Sequence, residues 1–561
     1  MTVYTSPWPE VELPECSVWE KIWSNPQGQE DEATAVLDAT TGQTLSRLEL
    51  RTLAQRLAHG LRDTARLSPG DVVCLFSPNS LDYPTIVLAT QCAGLVFSGA
   101  NSAYTLSELK HQVEESDAKV LLVHPFLLNV ALEATSALDW TSDQQQQRIF
   151  LAVSQNETAL ADSRFRTLNS LISGQMLEPH EVNDPKNTVA VLAYSSGTSG
   201  KAKCVRMSVY NLTSVLSICE PLKVDTTDVV LAFLPFSHIY GISGVLLRSL
   251  HQAVSIVVLP TFSLDGLCSA IQQYRITILP LVPPVALLLA RSPHAKKYDL
   301  SSLRLVMSAA APIGAELEEE LARALPGCTV LQAFGATETS PVTHIGIDAP
   351  RGSVGPLLPS VKARLVDPES GKDVARGESG ELWLAGPNVV LGYLNRPKAN
   401  EETLVQDPKY PGTTWLRTGD IAYVDEKGNF YISDRLKELI KVKGLQLAPA
   451  ELEGTLLECP CIADCAVIGV WNEDKATEYP RGYVVLSDEG KKQRNPAAAI
   501  LAWTKGKVAH YKQLKGGIKV VDSIPKSSLG KILRRVLRDE FEQEQKVAKA
   551  RKEALGGGAK L

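Results

Sequence analysis

Residues 194–205 read YSSGTSGKAKCV, a stretch whose residue types suit one kind of chemistry. Four hydroxyls (Ser195, Ser196, Thr198, Ser199), two glycines (Gly197, Gly200) and two lysines (Lys201, Lys203) share nine positions. Glycine lets the backbone turn tightly, the freed amides and hydroxyls can surround a phosphate, and lysine supplies counter-charge. A Gly/Ser run is also the composition of an ordinary surface turn. The spacing excludes the nucleoside-triphosphatase pattern G-x-x-x-x-G-K-[ST], because Gly197 and Gly200 are three apart and Ala202 follows Lys201.

The elements that must position this stretch lie on both sides of it. Residues 188–192 just before it form an apolar run of strand length. Upstream, Leu50, Leu53, Leu57 and Leu61 give residues 48–62 a helical period, 71–76 reads as a strand, 81–93 as a helix and 120–123 as a strand. Thr105 and Glu108 have the spacing of a helix capping box. Strands alternating with helices predict an α/β chain with a parallel sheet covered on both faces. Between about 353 and 431 the pattern changes to short strands at 362–366, 381–385 and 430–432, separated by turn signals such as DPESG and DEKG. That predicts a small antiparallel β-subdomain.

At 561 residues the chain exceeds one core and must divide into domains. With 57 basic and 63 acidic residues its net charge of −6 gives no general attraction to nucleic acid. No apolar run reaches the length of a membrane span, since 277–290 is broken by Pro280, Pro283 and Pro284. The first residues lack a basic region followed by an apolar one, so no secretory signal is expected. Ten scattered cysteines predict reduced thiols in an intracellular protein, and the cluster Cys459, Cys461 and Cys465 is expected to pack rather than hold metal.

The loop resembles the phosphate loop of the acyl-adenylate-forming superfamily, whose usual form is YSSGTTG-x-PKGV. That superfamily holds acyl-CoA synthetases, peptide-synthetase adenylation domains and beetle luciferases. Ser199 stands for Thr, Ala202 for Pro and Cys204 for Gly, while Lys203 keeps its place. Further motifs follow in family order: FLPFSHIYG (233–241), LRLVMSAAAPIG (303–314), QAFGATETSP (332–341), WLRTGD (415–420), YISDRLKELIKVKGLQLAPAELE (431–453) and PKSSLGKILRR (525–535). The resemblance covers about residues 34–538 and runs in particular to coumarate-CoA ligase-like and fungal acyl-CoA ligases.

The resemblance implies an α/β architecture with residues 1–434 as a large N-terminal domain of parallel α/β subdomains. A β-barrel-like subdomain would occupy about 345–432, and a small mobile α+β C-terminal domain 435–561. It also implies roles. Ser195, Ser196, Gly197, Thr198, Ser199, Gly200 and Lys203 would hold the ATP phosphates. Phe334 would stack on adenine between Ala333 and Gly335, Thr337 would touch the α-phosphate, and Asp420, Ile432 and Arg435 would form the nucleoside site. Thr198 and Glu338 would hold Mg²⁺, as a hydroxyl and a carboxylate suit a hard cation. His238 would sit between nucleotide and acyl group, although a histidine beside aromatics is ordinarily a packed residue. The acyl pocket would be lined by Ile239, Tyr240, Ser243, Met307 and Ala309, with Ala333, Pro341 and Val342. In it Ala333 replaces a glycine and shortens the floor. Lys531 would be the adenylation lysine, Lys437 the hinge and Lys441 the lysine of the second half-reaction. Lys443 and Gly444 would adjoin the CoA tunnel. On composition alone, residues 437–443 also read as a charged, solvated helix.

The activity implied is conversion of an aryl or medium-chain carboxylic acid with Mg-ATP to acyl-AMP and pyrophosphate, then displacement of AMP by the CoA thiol. Three alternatives stay open at this point: transfer to a carrier protein (although no carrier domain follows in the chain), luciferase-like oxidation, and nucleotide binding without turnover. The last three residues, Ala559-Lys560-Leu561, resemble the S-K-L peroxisomal signal behind a glycine spacer. A peroxisomal import receptor is therefore an expected partner, with a cytoplasmic location as the alternative.

Overall fold

The computed structural model describes residues 3–153, 162–195, 202–436, 438–442, 445–472, 477–505, 507–527 and 530–556. The long helix of the sequence reading runs Arg47–Asp63. Ser46 caps it, its hydroxyl accepting from the Glu49 N–H at 3.2 Å while the Glu49 carboxylate accepts from the Ser46 N–H at 2.8 Å. Leu50, Leu57 and Leu61 are buried as their period requires, but Ala54 rather than Leu53 fills the fourth core position. Helix Asp82–Cys92 is buried on every side, because it lies between packed layers.

Two eight-stranded sheets dominate the large domain. In the first, Val189–Ser195, Val96–Ala100, Val72–Phe76, Val120–Val123, Ile149–Leu151 and Arg166–Thr167 run parallel. Lys203–Ser208 and Gly392–Tyr393 join antiparallel at one edge. The second is parallel in the order Thr329–Phe334, Leu305–Ser308, Ile278–Leu281, Val229–Ala232, Ser255–Val258, Thr34–Asp38. Each outer edge carries one antiparallel strand, His344–Ile345 and Thr44–Ser46. Central strands such as Val72–Phe76 are buried at every residue, as expected of a sheet covered on both faces.

A third, antiparallel sheet contains Lys362–Val366, Gly380–Ala385, Thr414–Val424, Leu404–Gln406 and Phe430–Arg435. It also recruits Tyr4–Thr5 from the start of the chain, a pairing that no local pattern announces. Beyond it come a hairpin, Ile440–Val442 with Leu445–Leu447, and a sheet of Ile462–Asn472, Thr477–Leu486 and Ile518–Val520. Alternate residues of Ile462–Asn472 feed two cores: Cys465 and Val467 pack with Leu452 and Ile500, whereas Ala466 and Ile468 pack with Tyr483 and Leu537. Cys459 and Cys465 are buried there, and the Cys459 N–H closes helix Pro449–Leu457 on the Leu456 carbonyl. Residues 440–442 are a strand, so the charged-helix reading of that stretch does not hold. Helix Arg534–Gly556 takes in the first glycine of the expected spacer. Among the described residues no helix is long and apolar enough to cross a membrane.

Candidate active site

The two described ends of the glycine-rich stretch belong to the antiparallel pair Val189–Ser195 and Lys203–Ser208, with Ser195 directly opposite Lys203. Ser196, Gly197, Thr198, Ser199 and Gly200 lie outside the described residues. The base of the stretch is anchored by neighbours. His111 Nε2–H donates to the Ala202 carbonyl at 3.1 Å, and the Tyr194 hydroxyl donates to the Gln112 carbonyl at 3.1 Å.

Strand Thr329–Phe334 delivers the second motif to the same place. Gly335 is required there, since a Cβ would meet the Pro341 carbonyl oxygen at 1.9 Å. The chain then turns through Thr337–Thr339 and is clamped by Asn388, whose amide donates to the Thr339 and Val342 carbonyls at 3.0 and 2.7 Å. Phe334 is half-buried and meets His344 edge-on at 5.6 Å. Glu338 accepts a hydrogen bond from the Tyr393 hydroxyl at 2.7 Å, and Lys203 Nζ lies 4.5 Å over the ring of the same tyrosine. Tyr393 thus joins the lysine of one motif to the carboxylate of another. Burial and the adjacent Glu338 carboxylate push its hydroxyl well above the usual phenol range. The sequence reading missed this residue. Its only local signal is the preceding Gly392, whose φ of 110° only glycine tolerates.

Of the acyl-pocket candidates, Tyr240, Ser243, Met307 and Pro341 come together beside this turn. The Tyr240 hydroxyl donates to the Met307 carbonyl at 3.0 Å and the Ser243 hydroxyl to the Ser340 carbonyl at 2.8 Å. Both hydroxyls therefore brace the walls. Ile239, Tyr240, Ser243 and Met307 are buried, whereas Ala309, Ala333, Pro341 and Val342 keep partial exposure. A Cβ on Gly244 would come 2.9 Å from the Tyr240 ring and 3.5 Å from Pro341, so the two motifs touch there. His238 Nδ1 accepts from the Tyr240 N–H at 3.2 Å, so Nε2 carries the ring proton. Burial, and secondarily the charge of Lys531, push this imidazole down to about 4 and keep it neutral.

Asp420 and Arg435 face each other across paired strands, with Arg435 Nε 3.3 Å from Asp420 Oδ1. Asp420 follows Gly419, at φ 71°, where the register against Gly380–Ala385 shifts. The T-G-D run is thus a bulge that re-aims a carboxylate within a strand. Ile432 lies on the same partner strand, opposite Ala422.

Lys531 arrives from the C-terminal domain on a tight turn. Its N–H donates to the Ser527 hydroxyl at 3.2 Å, and a Cβ on Gly530 would meet Pro284 of the large domain at 2.5 Å. Burial, then repulsion by Arg435, push the Lys531 ammonium down to about 8, while Asp420, Glu438 and Glu338 hold it up. Lys531, His238, Glu338, Asp420 and Arg435 therefore share one electrostatic site. Lys441 stands outside that set, itself exposed between the buried Ile440 and Val442, its N–H donating to Glu478 at 2.7 Å and its carbonyl accepting from Thr477 at 3.0 Å. Lys437, Lys443 and Gly444 lie outside the described residues.

Compared with known proteins, residues 23–394 match the profile of the AMP-binding enzyme family. Residues 451–531 match that of the AMP-binding enzyme C-terminal domain. The chain is 35% identical to "Probable 4-coumarate-CoA ligase 1" of Dictyostelium discoideum over 553 residues, 96% of this chain and 98% of that protein. It is 35% identical to "4-coumarate-CoA ligase-like 9" of Oryza sativa subsp. japonica over 562 residues, 97% and 96% of the two chains. The crystal structure of ATP-bound MatB from Rhodopseudomonas palustris superposes with a TM-score of 0.81 at 27% identity, covering 94% of this chain and 98% of that one.

Proposed function

Since the chain belongs to the AMP-binding enzyme family, we propose that it is an ATP-dependent acyl-CoA ligase that activates an aryl or medium-chain carboxylic acid as acyl-AMP and passes the acyl group to CoA. The observation that carries this reading is the convergence of Lys531, from one domain, on His238, Glu338 and Asp420 of the other and on Arg435 where the two join. Adenylation joins a carboxylate to an anionic α-phosphate, so the protein's task is to hold charge and align the reactants. Lys531 supplies a point charge near that bond. His238, neutral and with its proton on Nε2, offers a hydrogen bond to the acyl carboxylate without transferring a proton. Asp420 has two acceptor oxygens suited to a ribose diol, and Phe334 offers a ring face to adenine.

Glu338 fits a Mg²⁺ site: Tyr393 occupies one carboxylate oxygen, and among the described residues the other is left for a cation that takes most of its ligands from phosphates and water. When bound, the cation would neutralise phosphate charge, with Glu338 and Thr198 holding it. The walls built by Tyr240, Met307 and Ala333 are apolar, which favours an aryl or medium-chain acid over a charged one. Lys437 is read as the hinge about which the C-terminal domain turns to present Lys441, with Lys443 and Gly444, for the thioester step.

The deciding experiment is ATP–pyrophosphate exchange over a panel of carboxylic acids, followed by addition of CoA. Acid-dependent exchange followed by CoA-dependent AMP release is expected. Exchange without thioester formation would overturn the CoA assignment, and no exchange with any acid would overturn the enzyme reading. We also read the terminal Ala-Lys-Leu as a peroxisomal address for an import receptor. An N-terminally tagged chain should give puncta that become diffuse when the three residues are removed. Diffuse fluorescence of the intact chain refutes it.

A further inference from the structure

The segment joining the two domains is tied down from both ends. On the large-domain side Arg435 pairs with Asp420, and the Leu436 N–H donates to the Gly419 carbonyl at 2.8 Å. On the other side Glu438 is buried and its carboxylate accepts from Arg534 Nη1. Arg534 Nη2 and Nε also donate to the Glu453 carboxylate at 2.6 and 3.2 Å. Glu453 Oε1 in turn accepts the Val467 N–H at 2.7 Å, midway along an edge strand of the C-terminal sheet. One residue, 437, separates the two anchors in sequence.

Arg534 follows Lys531 by three residues. The Lys531 turn is itself fixed to the same sheet: the Leu533 N–H donates to the Pro525 carbonyl at 2.9 Å, and Lys526 Nζ to Asp464 at 2.6 Å. We propose that Arg534 is a positioning residue for both half-reactions. By locking Glu438 to Glu453 it makes the Lys531 turn and the start of the C-terminal domain move as one body. The proposal rests on the ligase reading above.

Two backbone bonds oppose it, from the Glu438 and Leu439 N–H groups to the Arg435 carbonyl at 2.9 and 3.1 Å. These are neutral, and water can replace them when the domain turns. Pulling Glu438 away from Arg534 would instead strand buried charges, which costs far more. The break therefore falls before Glu438. The Glu438 carboxylate also favours the charged form of Lys531.

The test compares full-length wild type with Glu438→Gln and Arg534→Lys at about pH 7, below the range in which Lys531 loses its proton. Three quantities are read: pyrophosphate release from acid and ATP, thioester formation from supplied acyl-AMP and CoA, and the rates of tryptic cleavage. Both half-reactions should lose kcat together by about ten-fold or more. The ATP KM should stay within about three-fold, and cleavage within 435–441 should accelerate while sites elsewhere keep wild-type rates. Loss of only one half-reaction, or of neither, overturns the proposal. So does a lowered Tm with cleavage throughout the C-terminal domain, which would mean the triad only holds that domain folded. If wild type performs neither half-reaction the ligase reading falls, and unchanged cleavage at 435–441 in the variants still overturns the locking role of Arg534.

Discussion

If Lys531 supplies the charge that adenylation needs, the half-reaction must fail as that charge titrates. The ammonium is pushed down to about 8 by burial and by Arg435. The charged form exists below this value and is lost above it, the reverse of a carboxylate. About half of the enzyme is active at the midpoint and about one-tenth one pH unit higher, so kcat/KM for acyl-AMP formation should fall roughly ten-fold per unit on the alkaline side. The same limb in kcat should lie higher, because bound phosphates favour the charged lysine. Lys531→Arg stays charged throughout and should remove the limb, with a lower plateau because the head group differs in shape. Arg435→Gln removes a repelling cation and should move the limb up, whereas Asp420→Asn removes an attracting carboxylate and should move it down. The assay is pyrophosphate release with varied ATP from about pH 6 to pH 10, beside thioester formation from supplied acyl-AMP. That second step should hold level or rise, since a CoA thiol ionises near about 8.5. A limb that survives Lys531→Arg unchanged, or that both half-reactions share, refutes the assignment.

Lys441→Ala should keep pyrophosphate release and slow thioester formation by on the order of 100-fold; equal loss in both steps would remove its separate role. Ala333→Gly should shift preference toward a longer or para-substituted acid by a few-fold, since one more buried methylene is worth about 0.8 kcal/mol, and competition between acid pairs reads the shift directly. The glycine should also lower Tm slightly, because it weakens a strand. Tyr393→Phe deletes the hydrogen bond to Glu338 while keeping the ring over Lys203, so it should raise the KM for Mg-ATP about ten-fold with Tm nearly unchanged. A titration in Mg²⁺ that matches wild type would show that this hydroxyl does not orient the carboxylate.

The sequence by itself determined the class of this protein. Local patterns carry that information: Leu50, Leu57 and Leu61 recur at helical spacing, apolar runs such as 72–76 are of strand length, and the motifs around residues 195, 338, 420 and 531 keep their order. Short-range rules also anticipated the capping pair at Thr105 and Glu108, where the carboxylate accepts from the Thr105 N–H at 2.8 Å. Only the tertiary structure decided what those residues do to one another. Tyr393 lies 190 positions from Lys203 and 55 from Glu338 in sequence, so no periodicity links them, yet strand pairing brings its hydroxyl to the carboxylate. In sequence Tyr240 and Ser243 are read only as lining an acyl pocket, whereas the fold spends their hydroxyls on the Met307 and Ser340 carbonyls. The lowered affinity of Lys531 for its proton is likewise a property of position. It comes from desolvation and from an arginine 96 residues away, and neither is encoded near the lysine. Chemistry that depends on residue type is local and therefore legible, whereas burial and the pairing of distant charges exist only once the chain has folded.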